Sequence, residues 1–367
     1  MPFRPPDPFD DLCTIAIDVE PVDTGTPHQM DWSALPTEAG VVIFVDANDK
    51  PVLIRGIGDP RAFVQRRFSP EPANDPSPRV DYRAVVRRVC VIPAGHTSLA
   101  ELLAVACEAT IDPDAARSSS ARLGACFVLA DGSARLPMFR TAGWRDLWDG
   151  SDRIRKHETV LGPFANAKRA KRWAEHIVDL FDLCRYDHLL AQTPDATACV
   201  YKQMGKCPAP CDGTEPLESY RERFRRALAF TGDAVARDRE TTIKRMERAS
   251  ADLDFESAAA LKDRLDALDA LSGGGPWEVR DLRETQWEIK GPTRKPGWLR
   301  RSAVSLDGLR ISCDAIAGSA DSSGPPLRLG TSSPWLLLAH LADCLQRGLA
   351  SGESVEQRVR EPAFGSE

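Results

Sequence analysis

Four cysteines, Cys184, Cys199, Cys207 and Cys211, fall within 28 residues of a 367-residue chain, separated by fourteen, seven and three residues. That grouping constrains the region around it more than any other feature. In a chain that keeps its thiols reduced, four neighbouring cysteines imply a zinc ion or an iron–sulfur cluster, not a disulfide framework. Zinc fingers usually take their thiolates as tight pairs spaced by two residues, and no such pair occurs here. The wide, unequal spacing, with Pro208 directly after one cysteine, suits a cubane wrapped by an irregular loop. Lys202, Lys206 and Arg185 stand close enough in sequence to offset its charge. The residues by themselves leave iron–sulfur, zinc and coincidence open. The other six cysteines are solitary and mostly sit in apolar runs, as Cys90 does in VVRRVCVI and Cys126 in RLGACFVL, where a thiol acts as a small hydrophobe.

Composition narrows the class. Hydrophobic residues make up 42% of the chain and the net charge is −6, values of an ordinary globular protein with room for two or three domains. No apolar run approaches the length of a membrane span, and MPFRPPDPFDD has neither the basic nor the apolar region of a signal peptide, so a cytoplasmic chain without a membrane segment is expected. The charge is uneven. Residues 1–60 carry three basic and eleven acidic side chains, whereas residues 151–230 carry fourteen basic and eleven acidic.

The expected fold class is α+β. Residues 1–35 read as an acidic, Pro-rich leader with one apolar stretch, CTIAIDV, of strand character. Residues 36–145 read as a small α/β domain: GVVIFVDANDKPVLIRG as two strands about a polar turn, RAFVQRRF as a helix, VVRRVCVIP as a strand, TSLAELLAVACEAT as a capped helix and ARLGACFVLADGSARLPMFR as a second hairpin. Residues 150–235 are helical around the cysteines, and 236–271 form a helical pair interrupted at ADLDF. SGGGP at 272–276 reads as a linker, and 277–352 as a small α/β tail domain ending in the helix PWLLLAHLADCLQRGL. In FANAKRAKRWAEHIVDLFDLC, Ala170, Trp173 and Ile177 share a face opposite Lys168, Arg169, Lys171 and Arg172, which are the candidate DNA contacts.

LGPFANAKRAKRWAEHIVDLFDLC followed by CVYKQMGKCPAPCDG resembles the central region of the UvrC family, the nuclease subunit of bacterial nucleotide excision repair. The match runs through Gly162, Pro163, Phe164, Lys206, Cys207, Ala209, Pro210, Cys211 and Gly213. The resemblance implies a [4Fe–4S] cluster on Cys184, Cys199, Cys207 and Cys211, with zinc as the alternative. IKRMERASADLDFESAAALKDRLDAL is similar to the UVR motif. Two helices this short need a partner face, and the resemblance supplies one: UvrB or another protein with a UVR hairpin, met by Met246, Leu253, Phe255, Glu256, Ala259 and Leu261.

Residues 37–68 resemble the family's amino-terminal GIY-YIG nuclease in outline. The resemblance places that nuclease's two tyrosines at Val42 and Leu53, its lysine at Gly56, its helix arginine near Phe63 and its metal-binding glutamate around Ala104 or Val105. Glu101 and Glu108 are out of register. Apolar side chains neither hold a metal nor move a proton, so no catalytic residue is assigned and the site is expected to be inactive. The tail is expected to be too short to hold both the family's RNase H-like and helix–hairpin–helix domains. The expected function is a repair protein that binds DNA and a UvrB-type partner. A non-repair adaptor, a redox-responsive iron–sulfur protein and a divergent GIY-YIG endonuclease are the alternatives. The histidines His28, His96, His157, His176, His188 and His340 show no metal spacing, and GIGDP at 56–60 is no phosphate loop.

Overall fold

The computed structural model describes residues 15–20, 30–69, 82–94, 97–148, 157–271, 280–282, 285–292, 299–307, 310–316, 327–329, 336, 338–344 and 354–359. The chain divides into two compact units, Met1–Leu123 with Gln286–Arg358, and Gly124–Thr285 with Val359–Glu367. It is of mixed helix and sheet, as the α+β reading expects.

In the first unit, β1 (Ile15–Asp18), β2 (Gly40–Asp46), β3 (Pro51–Ile57) and β4 (Val86–Pro93) form an antiparallel sheet in the order β1-β4-β2-β3. The β2–β3 turn is fixed by Asp46, whose carboxylate accepts the backbone N–H groups of Asn48 and Lys50 at 2.8 and 2.9 Å. Helix α1 (Pro60–Phe68) starts as its sequence demands, with Asp59 capping Ala62 N–H at 3.0 Å and proline in the first turn. Helix α2 (Thr97–Ile111) packs on β2 and β3, and α3 (Pro113–Ser119), capped by Asp112, follows it. Val41 to Val45 are all buried, because both faces of β2 are covered. One face packs Val42 and Phe44 against Phe63, Val64 and Phe68.

Residues 30–35 are not a detached arm. Trp32 and Leu35 are buried, Trp32 stands 5.1 Å from the Phe68 ring, and β1 pairs with β4 along its whole length. A tryptophan and a leucine with an open apolar edge beside them gain more from joining the core than from solvent. The remainder of the leader, with His28, lies outside the described residues.

The second unit begins at Gly124. Strands β5 (Cys126–Ala130) and β6 (Phe139–Gly143), which the sequence reading gives to the amino-terminal domain, form a sheet with β7 (Thr159–Phe164) and β8 (Arg280–Asp281) in the order β6-β5-β7-β8. The two compact units divide at Leu123/Gly124. A hairpin pattern identifies two strands but not the third to which they bond, and that third strand is the one carrying Gly162, Pro163 and Phe164. After β6 comes the short α4 (Trp144–Trp148). Helix α5 (Ala167–Leu180) then lays Ala170, Trp173 and Ile177 on the sheet, capped by Asn166. Short α6 (Asp187–Leu190) and α7 (Val200–Gln203) lead to α8 (Leu217–Ala229), whose Tyr220, Phe224 and Ala227 join the same core. Helices α9 (Asp233–Ala251) and α10 (Phe255–Ala270) make the hairpin.

The carboxyl-terminal strands β9 (Thr285–Pro292), β10 (Leu299–Asp307), β11 (Arg310–Ile316), β12 (Leu327–Leu329) and β13 (Ser354–Val359) form an antiparallel run ordered β12-β11-β10-β9, with β13 beyond β9. This segment, which the sequence reading gives to a tail domain, falls in the first compact unit. Leu336, Leu338, Leu341 and Cys344 are buried, His340 Nε2 is 2.7 Å from Ser120 Oγ, and the Cys344 thiol reaches Glu101 at 3.5 Å. So apolar a helix needs a companion surface, and α2 and α3 provide it. The SGGGP linker lies outside the described residues. No helix among the described residues is long and apolar enough to cross a membrane.

Candidate functional site

The four cysteines reach one region along different paths. Cys184 follows α5 and is buried in the second unit's core with Trp173, Ile177, Leu183, Tyr220 and Phe224. Its thiol points to the Tyr186 carbonyl at 3.5 Å. Cys199 is the residue before α7 and is half-buried. Cys207 comes after the left-handed Gly205, whose turn is closed by Lys206 N–H on the Tyr201 carbonyl at 2.9 Å. Cys211 sits in the 3₁₀ turn Pro210–Asp212, and its carbonyl accepts Ala196 N–H at 3.1 Å. Ala209, between the last two cysteines, has a φ of 60°, a strained left-handed conformation for a residue with a Cβ. Its carbonyl accepts Glu215 N–H at 3.4 Å.

The thiols influence one another. Burial pushes Cys184 up to about 11, and the charges of Cys207, Cys211 and Cys199 push the same way. Burial also raises Cys207 and Cys211; Cys199 acts on both, and Cys207 feels Cys211 as well. Every pair of the four is thus within electrostatic reach. Among the described residues, no three His, Cys, Asp or Glu side chains converge so as to hold a metal ion. A single tetrahedral zinc, with bonds of about 2.3 Å, requires its sulfurs within about 4 Å of each other. A cubane keeps one iron between each thiolate and the rest, so its ligands stand further apart than those of a single zinc.

Two of the three cations named from the sequence are occupied elsewhere. Lys202 Nζ pairs with Asp212 Oδ2 at 2.6 Å and Thr214 Oγ1 at 2.7 Å, bracing the loop, and this pairing holds Asp212 down to about 2. Arg185 pairs with Asp179 and lies over the Tyr201 ring at 4.0 Å. The Lys206 side chain is exposed, as is His188. The cation that does act on a thiol is Arg223, which opposes the rise at Cys207. Sequence reasoning missed it. The signal was an arginine three residues after Tyr220 and next to Phe224, on the buried face of α8.

A groove of about 560 Å³ opens beside Cys184, bordered by Lys171, Arg140, Tyr186 and Tyr201. Lys168, Arg169, Lys171 and Arg172 are all exposed on α5, with Lys171 3.9 Å from Glu175. The hairpin presents a different surface. Leu253 and Phe255 at its tip are 71% and 67% exposed, Met246 and Leu261 are half-buried, and Glu256 and Ala259 face solvent. The tip is built tightly nonetheless. Leu253 takes a φ of 58°, Asp254 N–H bonds the Ala249 carbonyl at 2.8 Å, and the Asp254 carboxylate caps Ser257 N–H at 3.1 Å. Lower down, Arg239–Asp269 and Arg264–Asp238 tie the two helices, each at 2.7 Å.

In the first unit, the places that the GIY-YIG resemblance assigns to catalysis are packed. Val42, Phe63 and Ala104 are buried. A Cβ on Gly56 would lie 2.4 Å from Glu101 N and 2.5 Å from the Ala100 carbonyl carbon, so α2 presses on β3 where the resemblance places a lysine. A cleft of about 670 Å³ beside these elements is bordered by Arg55, Glu101, Glu108, Arg122 and His340. Burial chiefly raises the Glu108 carboxyl and Asp112 adds to it, while the Ser119 hydroxyl, at 3.1 Å, and Arg55 oppose it. A carboxyl with a raised folded pKa stabilises the fold below its unfolded value of 4.5 and loses that contribution as pH rises through the folded value. Glu108→Gln is therefore expected to unfold at higher denaturant than the parent at neutral pH, and at the same denaturant near pH 4. Equal midpoints at both pH values would show that Glu108 is an ordinary surface acid.

Residues 143–230 match the middle domain of the UvrC/Cho excinucleases, and residues 236–271 match the UvrB/UvrC motif. Among curated proteins, the UvrABC system protein C of Lactiplantibacillus plantarum is 32% identical over 109 residues, 30% of this chain and 17% of that protein. The Cereibacter sphaeroides protein of the same name is 34% identical over 132 residues, 34% of this chain and 20% of its own. The Synechococcus protein is 26% identical over 255 residues, 67% of this chain and 36% of its own. The chain thus spans between 17% and 36% of the length of these relatives. No solved structure matches.

Proposed function

We propose, for a chain whose residues 143–271 carry a UvrC-type middle domain and a UVR motif, that it acts in nucleotide excision repair as a non-cutting subunit. It binds DNA, docks a UvrB-type hairpin and carries a [4Fe–4S] cluster. The observation that carries this reading is the pairing, within one compact unit, of four mutually felt thiols with a hairpin whose two largest tip side chains stand in solvent. Cys184, Cys199, Cys207 and Cys211 would hold the cluster. A site of this kind supplies one-electron chemistry or structural order.

DNA contact is supported by Lys168, Arg169, Lys171 and Arg172, exposed on α5. Cations on one helix face neutralise phosphates without reading sequence. The absence of cutting is supported by the packing around Gly56 and by the apolar residues where a GIY-YIG nuclease would need tyrosines and a metal-binding glutamate. The expected result with a damaged duplex, Mg²⁺ or Mn²⁺ and UvrB is a retarded complex and no incision. Strand cutting that disappears in Glu101→Ala or Glu108→Ala would replace this reading with that of a nuclease rebuilt on the polar cleft.

A further inference from the structure

We infer that the groove beside Cys184 takes an unpaired nucleotide of single-stranded DNA, its base laid on the Tyr186 ring and its phosphates on the cations of α5. The inference rests on the DNA-binding reading above and gives it a place and a substrate class, a single strand rather than a duplex.

One wall of the groove is a row of flat groups. The Arg185 guanidinium lies over the Tyr201 ring at 4.0 Å, the Tyr201 and Tyr186 rings stand 6.1 Å apart, and those of Tyr186 and His188 stand 5.6 Å apart. The row is fixed to the backbone. Arg185 Nη1 donates to the Lys206 carbonyl at 3.5 Å, and the Tyr186 carbonyl accepts the Leu190 N–H at 3.0 Å. Tyr186 is 36% exposed, and its two ring neighbours are tilted to it by 50° and 54°, so neither stacks face to face on it. Proteins that bind single strands stack bases on aromatic side chains held at the surface in this way, beside a positively charged track for the backbone.

The track is α5. Lys171, Ala174, Glu175 and Val178 border the groove at the spacing of one helix face, and Lys168, a turn earlier, continues that face. Charges inside the groove are matched. Arg140 donates to the Glu158 carboxylate at 3.1 and 3.0 Å, Arg185 pairs with Asp179, and Lys171 stands 3.9 Å from Glu175. On the lip, Lys168 and Arg172 are exposed and form no ion pair among the described residues. A neutral, ring-walled trough with surplus positive charge along one lip matches a nucleotide, whose base is flat and uncharged and whose phosphate is anionic. Val178, Leu183 and Phe224 give the trough apolar lining for a base taken out of water. Its volume of about 560 Å³ lies within the roughly 300–1,000 Å³ of small-ligand sites, which admits a nucleotide and not a duplex. An acidic peptide would match the lip and leave the row of rings without an occupant.

The test uses the full chain purified without oxygen, as parent, as Tyr186→Phe and as Tyr186→Ala. Fluorescence anisotropy gives the affinity of each for a short labelled oligo(dT) and for a blunt duplex of the same length. Tyr186→Ala is expected to bind oligo(dT) about tenfold more weakly, the loss of one base–aromatic stack, and to keep the parent's affinity for the duplex. Tyr186→Phe, which keeps the ring, should bind both as the parent does. In the parent, an oligonucleotide carrying one iododeoxyuridine should crosslink on irradiation to Tyr186 or Tyr201, read by peptide mass spectrometry. Equal oligo(dT) affinity in parent and Tyr186→Ala, an equal loss on the duplex, or crosslinks only outside the groove overturns the assignment while leaving DNA binding standing. A parent that binds neither oligonucleotide overturns both. If Tyr186→Ala is unfolded by circular dichroism, the crosslink in the parent decides.

Discussion

Replacing Cys207 and Cys211 together by serine is expected to abolish iron and sulfide binding altogether, whereas Cys126→Ser leaves both unchanged. The contrast follows from position. Cys126 lies in β5, where burial raises its thiol and the charge of Asp146 adds to the rise. Cys207 and Cys211 flank the strained Ala209 on a loop pinned by Lys202–Asp212 and by Glu215. Serine is a poor ligand for iron, and Cys184 with Cys199 alone supply too few thiolates. Because metal binding free energy contributes directly to folding, the double serine variant should also melt at lower temperature than the parent. A colourless parent with one zinc per chain would discard the cluster, and a double variant still carrying iron would discard these two ligands.

The second large effect concerns the hairpin tip. Phe255→Ala should leave the melting temperature unchanged yet weaken capture by the carboxyl-terminal hairpin of UvrB by roughly thirtyfold or more, the effect of losing an aromatic hot spot worth about 2 kcal/mol. The two halves of this expectation come from one fact. A side chain 67% exposed in the free protein contributes little to its fold and has its apolar area still to bury. Leu253→Ala should act in the same direction, with the reservation built into its backbone: at a φ of 58°, alanine is no easier than leucine, so the turn itself should not change. Full binding by Phe255→Ala would direct attention to an adaptor role with a different docking face.

Much of this was legible in the sequence because the signals were local. Periodicity placed α5 with its apolar and basic faces, turn chemistry placed β2 and β3, and the residues around LDFE placed the hairpin. What was not legible depended on contacts between distant segments. The β5–β6 hairpin was recognised as a hairpin but not as part of the cysteine unit, since that depends on Cys126 to Ala130 bonding to β7. The tail helix looked self-sufficient because a sequence does not show that His340 finds Ser120, 220 residues away. At the cysteines, the grouping in one region could be read from spacing, but the charges around it could not. Lys202 and Arg185 were near in sequence and were taken up by Asp212 and Asp179, while Arg223 approached from another helix.

At the base of the hairpin the Trp173 indole N–H donates to the Leu271 carbonyl at 3.0 Å, inside the core that also holds Cys184. Helix α10 has sixteen residues, so it reaches about 24 Å from that clasp to Phe255. Mechanically, it is a lever with its fulcrum in the cysteine core. A few degrees of give at Trp173 become ångströms at the tip. Conversely, a partner that grips Phe255 would exert its torque on the core that holds Cys184.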